Sequence, residues 1–209
     1  MPLSDLGRRA FGAARLDPAI YEEVEHDAGA TSQALAIVLL SGAAAALGGM
    51  ASLHPATLAV GMCVSVLGWG VWAGLCLVIG GRLFPEPQTE TDTGELLRVL
   101  GFAAVPGIAQ VLGVFAPLRT PVLALTHVWM ILAMVVAVRQ ALDYTSTFRA
   151  VGVCLAGWLA QVVVVLALLA MLRPLLVLRV GDGRRPTDAA PTAGYLGVVK
   201  PSGVAPPIE

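Results

Sequence analysis

Four carboxylates, Glu22, Glu23, Glu25 and Asp27, crowd into one short run with His26 among them. Such a run can bind a cation or supply an acid/base pair. On a helix Glu22, Glu25 and His26 share one face, and Glu23 and Asp27 share another. A solvated or salt-bridged face is the simpler reading of that spacing, and it is the one we adopt. His127 stands alone in Leu125-Thr126-His127-Val128-Trp129, and His54 lies at the edge of an apolar run. No two histidines fall four apart, so haem or di-metal ligation has no support. Cys63, Cys76 and Cys154 sit in apolar runs without a CxxC partner or a nearby histidine. That pattern argues against zinc and against a disulfide framework, and reads as packing. GxSxG, HExxH, GxxxxGK[ST] and GxGxxG motifs are all missing. We therefore expect no enzyme, no metal and no cofactor.

The elements that must position these residues are apolar. Of 209 residues 57% are hydrophobic and 13% charged, with a mean hydropathy of +0.80. A soluble domain usually carries about 25% charge, so an ordinary soluble domain is excluded, as is disorder over most of the chain. The net charge of −1 leaves no basic field for nucleic acid. A membrane-crossing helix needs about 20 mostly apolar residues. Five stretches approach that: 31–50, 58–81, 96–116, 122–138 and 150–172. The last is apolar on every face, unlike an amphipathic helix of a soluble bundle, and none alternates with the period of a membrane β-barrel strand. The expected fold is an all-α polytopic membrane bundle of about five transmembrane helices, preceded by a juxtamembrane amphipathic helix. Its parts are an interfacial segment over 1–30, a bundle over 31–172 and a mostly disordered Pro/Gly-rich tail over 173–209.

The third stretch is broken by Pro106-Gly107. Proline removes a helical hydrogen bond and kinks the helix, and a freed carbonyl in lipid needs a neighbour. A kinked span packed on its neighbours is expected; a re-entrant helix at a cavity is the alternative. Gln110 and Gln161 are the polar residues deepest in the spans, and interhelical hydrogen bonding is their default role.

Ahead of the first span, Asp17 caps a helix and Pro18 suits its first turn. Further upstream Leu3, Leu6, Ala10, Phe11 and Ala14 recur at helical spacing among Arg8, Arg9 and Arg15. A helix on the membrane surface and a terminus frayed by Gly7 and Gly12 fit this pattern equally. No apolar signal core follows the basic start, so the first span reads as retained. The arginines split almost evenly between the two sides of a five-span bundle; Arg139 and Arg149, which bracket one short loop, favour a cytoplasmic N-terminus. Small residues form stripes at Ser41, Ala45 and Gly49, at Gly61 and Ser65, and at Gly70 and Gly74, which permit close helix approach. We assign them first to packing within the bundle.

Three segments carry a resemblance. The first is Asp17-Pro18-x-x-Tyr21-x-x-Val24-Glu25-x-Asp27 with Ala30-Thr31-x-Gln33-Ala34. The second is Glu95-Leu96-Leu97-Arg98-x-x-Gly101-Phe102-Ala103-x-x-Pro106-Gly107. The third is Ala137-Val138-Arg139-Gln140-Ala141-Leu142-Asp143-Tyr144. Together they resemble a bacterial member of the Yip-type membrane protein family over residues 15 to 172. The resemblance implies about five spans and a cytoplasmic N-terminus. The GTPase binding of the eukaryotic branch is not carried over, because its Asp-Leu-x-Gly-Pro-type segment has no counterpart in this chain.

With that topology the three motifs gather on one side, and carboxylate pairs from Arg98 and Arg139 are expected to tie the acidic helix to the bundle. Glu22 is a further candidate for this surface. The expected function is a non-enzymatic scaffold or accessory subunit in the bacterial inner membrane. Membrane lipid, other subunits or a second copy are its expected partners, and nucleic acid is not. The alternative is a passive channel or carrier for a small solute or lipid.

Overall fold

The computed structural model describes residues 3–50 and 54–182. Seven α-helices follow one another: α1 (Leu3–Ala14), α2 (Pro18–His26), α3 (Ala30–Met50), α4 (Pro55–Cys76), α5 (Thr93–Phe102), α6 (Arg119–Ala141) and α7 (Thr147–Asp182). A π-helical turn, Leu77–Leu83, prolongs α4, and a 3₁₀ helix, Val105–Val114, follows α5. Among the described residues five segments are long and apolar enough to cross a membrane: Ala30–Gly49, Pro55–Leu83, Thr93–Val114, Ala116–Ala141 and Thr147–Ala167. The fold is thus an all-α, multi-pass membrane bundle. Two compact units divide the chain, 1–166 and 167–209. Helix α7 runs on past Leu172 to Asp182, and the expected tail beyond it lies outside the described residues.

The N-terminal segment forms two helices rather than one. The chain reverses at Leu16, whose φ is 62°, and restarts where Asp17 Oδ1 accepts from Ala19 N at 3.1 Å, with Pro18 as the first helical residue. That cap satisfies one of the N–H groups a helix start leaves open.

The interior belongs to α3 and the third span. Half of each apolar window is buried, against 17%, 22% and 17% for the spans formed by α4, α6 and α7. The third span changes form at the predicted break. α5 ends at Phe102, Gly107 N bonds Ala104 O at 2.9 Å, and the chain continues as the tighter 3₁₀ helix. Proline disfavours α geometry in the residue before it and offers no N–H. The result is one segment long enough to span, half α and half 3₁₀, rather than a kinked α-helix. Close packing on α3 covers its backbone: a Cβ on Gly48 would strike the Gln110 carbonyl, and one on Gly113 would lie 3.0 Å from the Gly48 carbonyl. α3 and α4 also meet at glycines, since a Cβ on Gly42 would lie 2.6 Å from Ser65 Cβ and 2.9 Å from Gly61 O.

Candidate functional site

The α1–α2 hairpin is fastened to the bundle by charge at one end and backbone carbonyls at the other. Arg9, 8% exposed, is the hub: Nε lies 2.8 Å from Glu23 Oε1 and Nη1 lies 2.8 Å from Asp27 Oδ2. Nη1 also donates to Gln33 Oε1 on α3 at 3.1 Å. Arg8 adds a second bond to Glu23 at 2.8 Å. Bonding to Arg8, reinforced by Arg9, holds the Glu23 carboxyl down at about 2, and Arg9 likewise lowers Asp27. Tyr21 is fully buried and donates its hydroxyl proton to Ala13 O at 3.1 Å across the hairpin. At the hairpin's turn, Ala14 O accepts from Trp129 Nε1 at 2.8 Å. Trp129 stands well inside α6, so the hairpin lies against the flank of the bundle.

Arg98 departs from expectation. It is 9% exposed, and its Nε donates to the carbonyls of Val24 and Glu25 at 3.2 and 2.9 Å, while Nη2 also reaches Glu25 O. These are carbonyls of the last turn of α2, which have no partner inside the helix and carry the negative end of its dipole. The guanidinium therefore caps a helix C-terminus instead of pairing with a carboxylate. Arg139 also finds a carbonyl, that of Tyr144, at 3.3 Å. Polar tethering of the acidic helix to α6 comes instead from Gln140 Nε2, which donates to Glu22 Oε2 at 2.8 Å. Glu95 starts α5: it and Asp92 bond each other's backbone N–H at 2.9 and 2.8 Å, forming a capping box.

With Arg98 engaged by carbonyls, the Glu25 carboxyl is buried among its own kind. Burial, together with the charges of Asp143, Glu22 and Glu95, pushes it up to about 7, and His26 only partly offsets them. Asp143 is raised by burial as well. It occupies the turn after α6 with φ 52°, a left-handed conformation that Asp tolerates better than most residues. Next to it, the Tyr144 hydroxyl lies 2.9 Å from both Gly80 O in the π-turn and Phe84 O just after it, and its one proton is shared between these two carbonyls. Glu86 locks the same corner: it accepts from Thr145 N at 3.1 Å and from Thr145 Oγ1 at 2.9 Å, and pairs with Arg149 at 3.4 Å. The Thr145 bonds lower the Glu86 carboxyl.

The residues at the span break form a separate group. Pro106, Gly107 and Gln110 are buried. A Cβ on Gly107 would collide with Ser41 Oγ and lie 3.0 Å from Met130 Sδ. Gln110 Nε2 reaches Met130 Sδ at 3.6 Å, and Gln110 lines a cavity of 450 Å³ together with His127. His127 Nδ1 also lies 2.6 Å from Leu123 O one turn back along α6.

The candidates thus fall into two sets. Tyr21, Glu22, Glu25, Asp27, Gln33, Glu95, Arg98, Arg139, Gln140, Asp143 and Tyr144 gather at one end of the bundle; Pro106, Gly107 and Gln110 sit within it. Arg9 and Glu86, the hubs of the ionic contacts, were not singled out by sequence. Arg8-Arg9 opposite Glu23 and Asp27 across a turn at Asp17-Pro18 was the signal for the first. Glu86 pairs only through the folded corner and left none. Among the described residues no three His, Cys, Asp or Glu side chains are arranged to hold a metal ion, and the three cysteines are free thiols. Comparison of the chain with family models, curated proteins and solved structures gave no match.

Proposed function

We propose that this protein is a non-enzymatic scaffold or accessory subunit of a membrane complex, acting through helix packing in a bacterial inner membrane. The Yip-type resemblance belongs to the same proposal. The observation that carries it is the outer face of α4. Val60, Val64, Leu67 and Val71 stand exposed there, followed by Val78 on the π-turn, and a Cβ on Gly70 or Gly74 meets nothing within 4 Å. The other glycine pair of α3 and α4, Gly42 and Gly61, is consumed by packing inside the chain; Gly70 and Gly74 are left for another helix. Small residues four apart on an open face allow two helix backbones to approach closely.

The test is native purification in a mild detergent with mass determination. A stoichiometric partner chain or a defined homo-oligomer that Gly70→Ile dissociates is expected. A monomer unaffected by Gly70→Ile would end the scaffold reading. A second reading, a passive carrier of a small solute or lipid, has one observation in its favour: the cavity beside Gln110 and His127.

A further inference from the structure

Two cavities in the first unit adjoin one another. The outer, 450 Å³, lies between α3, α4, the 3₁₀ helix and α6; the inner, 270 Å³, reaches Trp72 and Gln161. They share Ser41, Ser65 and Met130 and so form one crevice. Its outer wall includes Val60 and Val64, which are exposed on α4, so it opens sideways at the level of the spans. No Asp, Glu, Lys or Arg lines either part.

The polar groups along this crevice are poorly matched. Gln161 Oε1 is buried and accepts no hydrogen bond. Trp72 Nε1 donates only to Met134 Sδ at 3.1 Å, and Gln110 Nε2 only to Met130 Sδ at 3.6 Å. A thioether is a weak acceptor. One acceptor without a donor and one donor on sulfur therefore line the inner cavity, with a second donor on sulfur in the outer one, where hydrocarbon offers no water to complete them. An unsatisfied buried group is costly and calls for an explanation. A hydroxyl would supply what is missing, since it both donates and accepts. A carboxylate or phosphate would meet no lysine or arginine in the crevice. A bare hydrocarbon would fill it and leave the polar groups as they are.

We propose that this crevice binds the hydroxyl end of an uncharged, single-headed lipid that enters sideways from the bilayer. The hydroxyl proton goes to Gln161 Oε1, its oxygen faces the donor on Trp72, and the chain runs through the outer cavity past Gln110 and leaves beside Val60 and Val64. This site does not rest on the scaffold reading, although its mouth at Val60 and Val64 lies on the same face of α4 as Gly70 and Gly74.

Trp69 and Trp72 line the inner cavity and serve as reporters. The full chain, carrying Trp129→Phe and Trp158→Phe to silence the tryptophans outside the crevice, is placed in phosphatidylcholine nanodiscs. A chain-brominated long alcohol is titrated in, and the same brominated chain ending in a carboxylate or in no head group is titrated in parallel. Saturable quenching by the alcohol alone is expected. Gln161→Leu should raise its half-saturation about tenfold, the effect of roughly one lost hydrogen bond. Gly68→Leu should abolish saturation, because Gly68 lines the inner cavity and a Cβ there meets nothing within 4 Å, so the new side chain starts in open space and occupies the cavity. Quenching that rises linearly and equally for all three probes would mean partitioning alone, or a crevice filled by water, and would overturn the site. So would an alcohol curve that neither variant changes. Neither result bears on the mass measurement that tests the scaffold.

Discussion

Arg98 and Glu25 touch the same short helix but act on stability in opposite senses. Removing the Arg98 guanidinium leaves buried carbonyls of Val24 and Glu25 without a donor. Arg98→Ala should therefore lower stability by about 2–4 kcal/mol, combining lost charge-assisted bonds with uncovered acceptors. Arg98→Lys should recover only part, since one ammonium cannot reproduce the fork that spans both carbonyls. Thermal unfolding in detergent, followed by near-UV signal, measures both. Glu25 presents the reverse case. Its carboxyl is raised from 4.5 to about 7 in the fold, so between those values the folded chain holds a proton that the unfolded chain has released. Its contribution is full below about 4.5 and is lost as pH rises through about 7. Glu25→Gln should remove that loss and raise stability at pH 8 by about 1–2 kcal/mol while changing little at pH 4.5. Glu23, held at about 2 by Arg8 and Arg9, runs the other way: its contribution is present above its ordinary value of 4.5 and is lost as pH falls toward 2. A melting profile of Glu25→Gln parallel to that of the parent from pH 4 to pH 8 would refute the assignment for Glu25.

Helix contacts show which parts of the molecule could be read in advance. Span number and approximate limits follow from apolar run length, because lipid demands about 20 apolar residues whatever the neighbours are. The Asp17-Pro18 helix start was legible for a similar reason, since capping is local chemistry. The 3₁₀ form of the third span was not. Pro106 announces a break, but the form taken after it depends on α3 presenting Gly48 to the Gln110 carbonyl, which is a tertiary fact. Arg98 was placed at the right helix with the wrong acceptor: charge pattern points to carboxylates, and only the fold reveals which carbonyls are left open. The small-residue stripes divide in the same way. Gly42→Ala sets a Cβ 2.6 Å from Ser65 Cβ and 2.9 Å from Gly61 O. Backbone cannot yield as a side chain does, so it should cost about 1–3 kcal/mol. Gly70→Ala, with open space at its Cβ, should be neutral or slightly stabilising in the monomer through helix propensity. Equal melting temperatures for the two variants would mean that α3 and α4 do not meet in backbone contact at Gly42 and Gly61.

At the scale of the whole molecule, the hydrogen bonds across helices define one end of the bundle. Gln140 meets Glu22, Thr89 Oγ1 donates to Leu142 O at 2.9 Å, and Glu86 meets Thr145 and Arg149. The end of α2, the segment 84–92 and the turn 142–146 therefore share a side, as five consecutive crossings require. In the first unit the arginines concentrate there. Arg8, Arg9, Arg82, Arg98, Arg139 and Arg149 lie on segments gathered at that end, Arg15 lies at the hairpin turn along the flank, and Arg119 lies at the other end. Among the described residues three of them pair with carboxylates, Arg9 through Glu23 and Asp27, Arg8 through Glu23 and Arg149 through Glu86. Positive charge near span ends is retained on the cytoplasmic side, so this end should face the cytoplasm. Single-cysteine variants in a background with Cys63, Cys76 and Cys154 replaced by alanine test the assignment in intact cells. Gln88→Cys should react only with a membrane-permeant maleimide, and Ala56→Cys, at the opposite end of α4, should also react with an impermeant one. The reverse pattern would invert the molecule. It would put the hairpin and its acidic face outside the cytoplasm, where the pH seen by Glu25 is that of the medium, and the protonation argued for Glu25 would then follow the cell's surroundings.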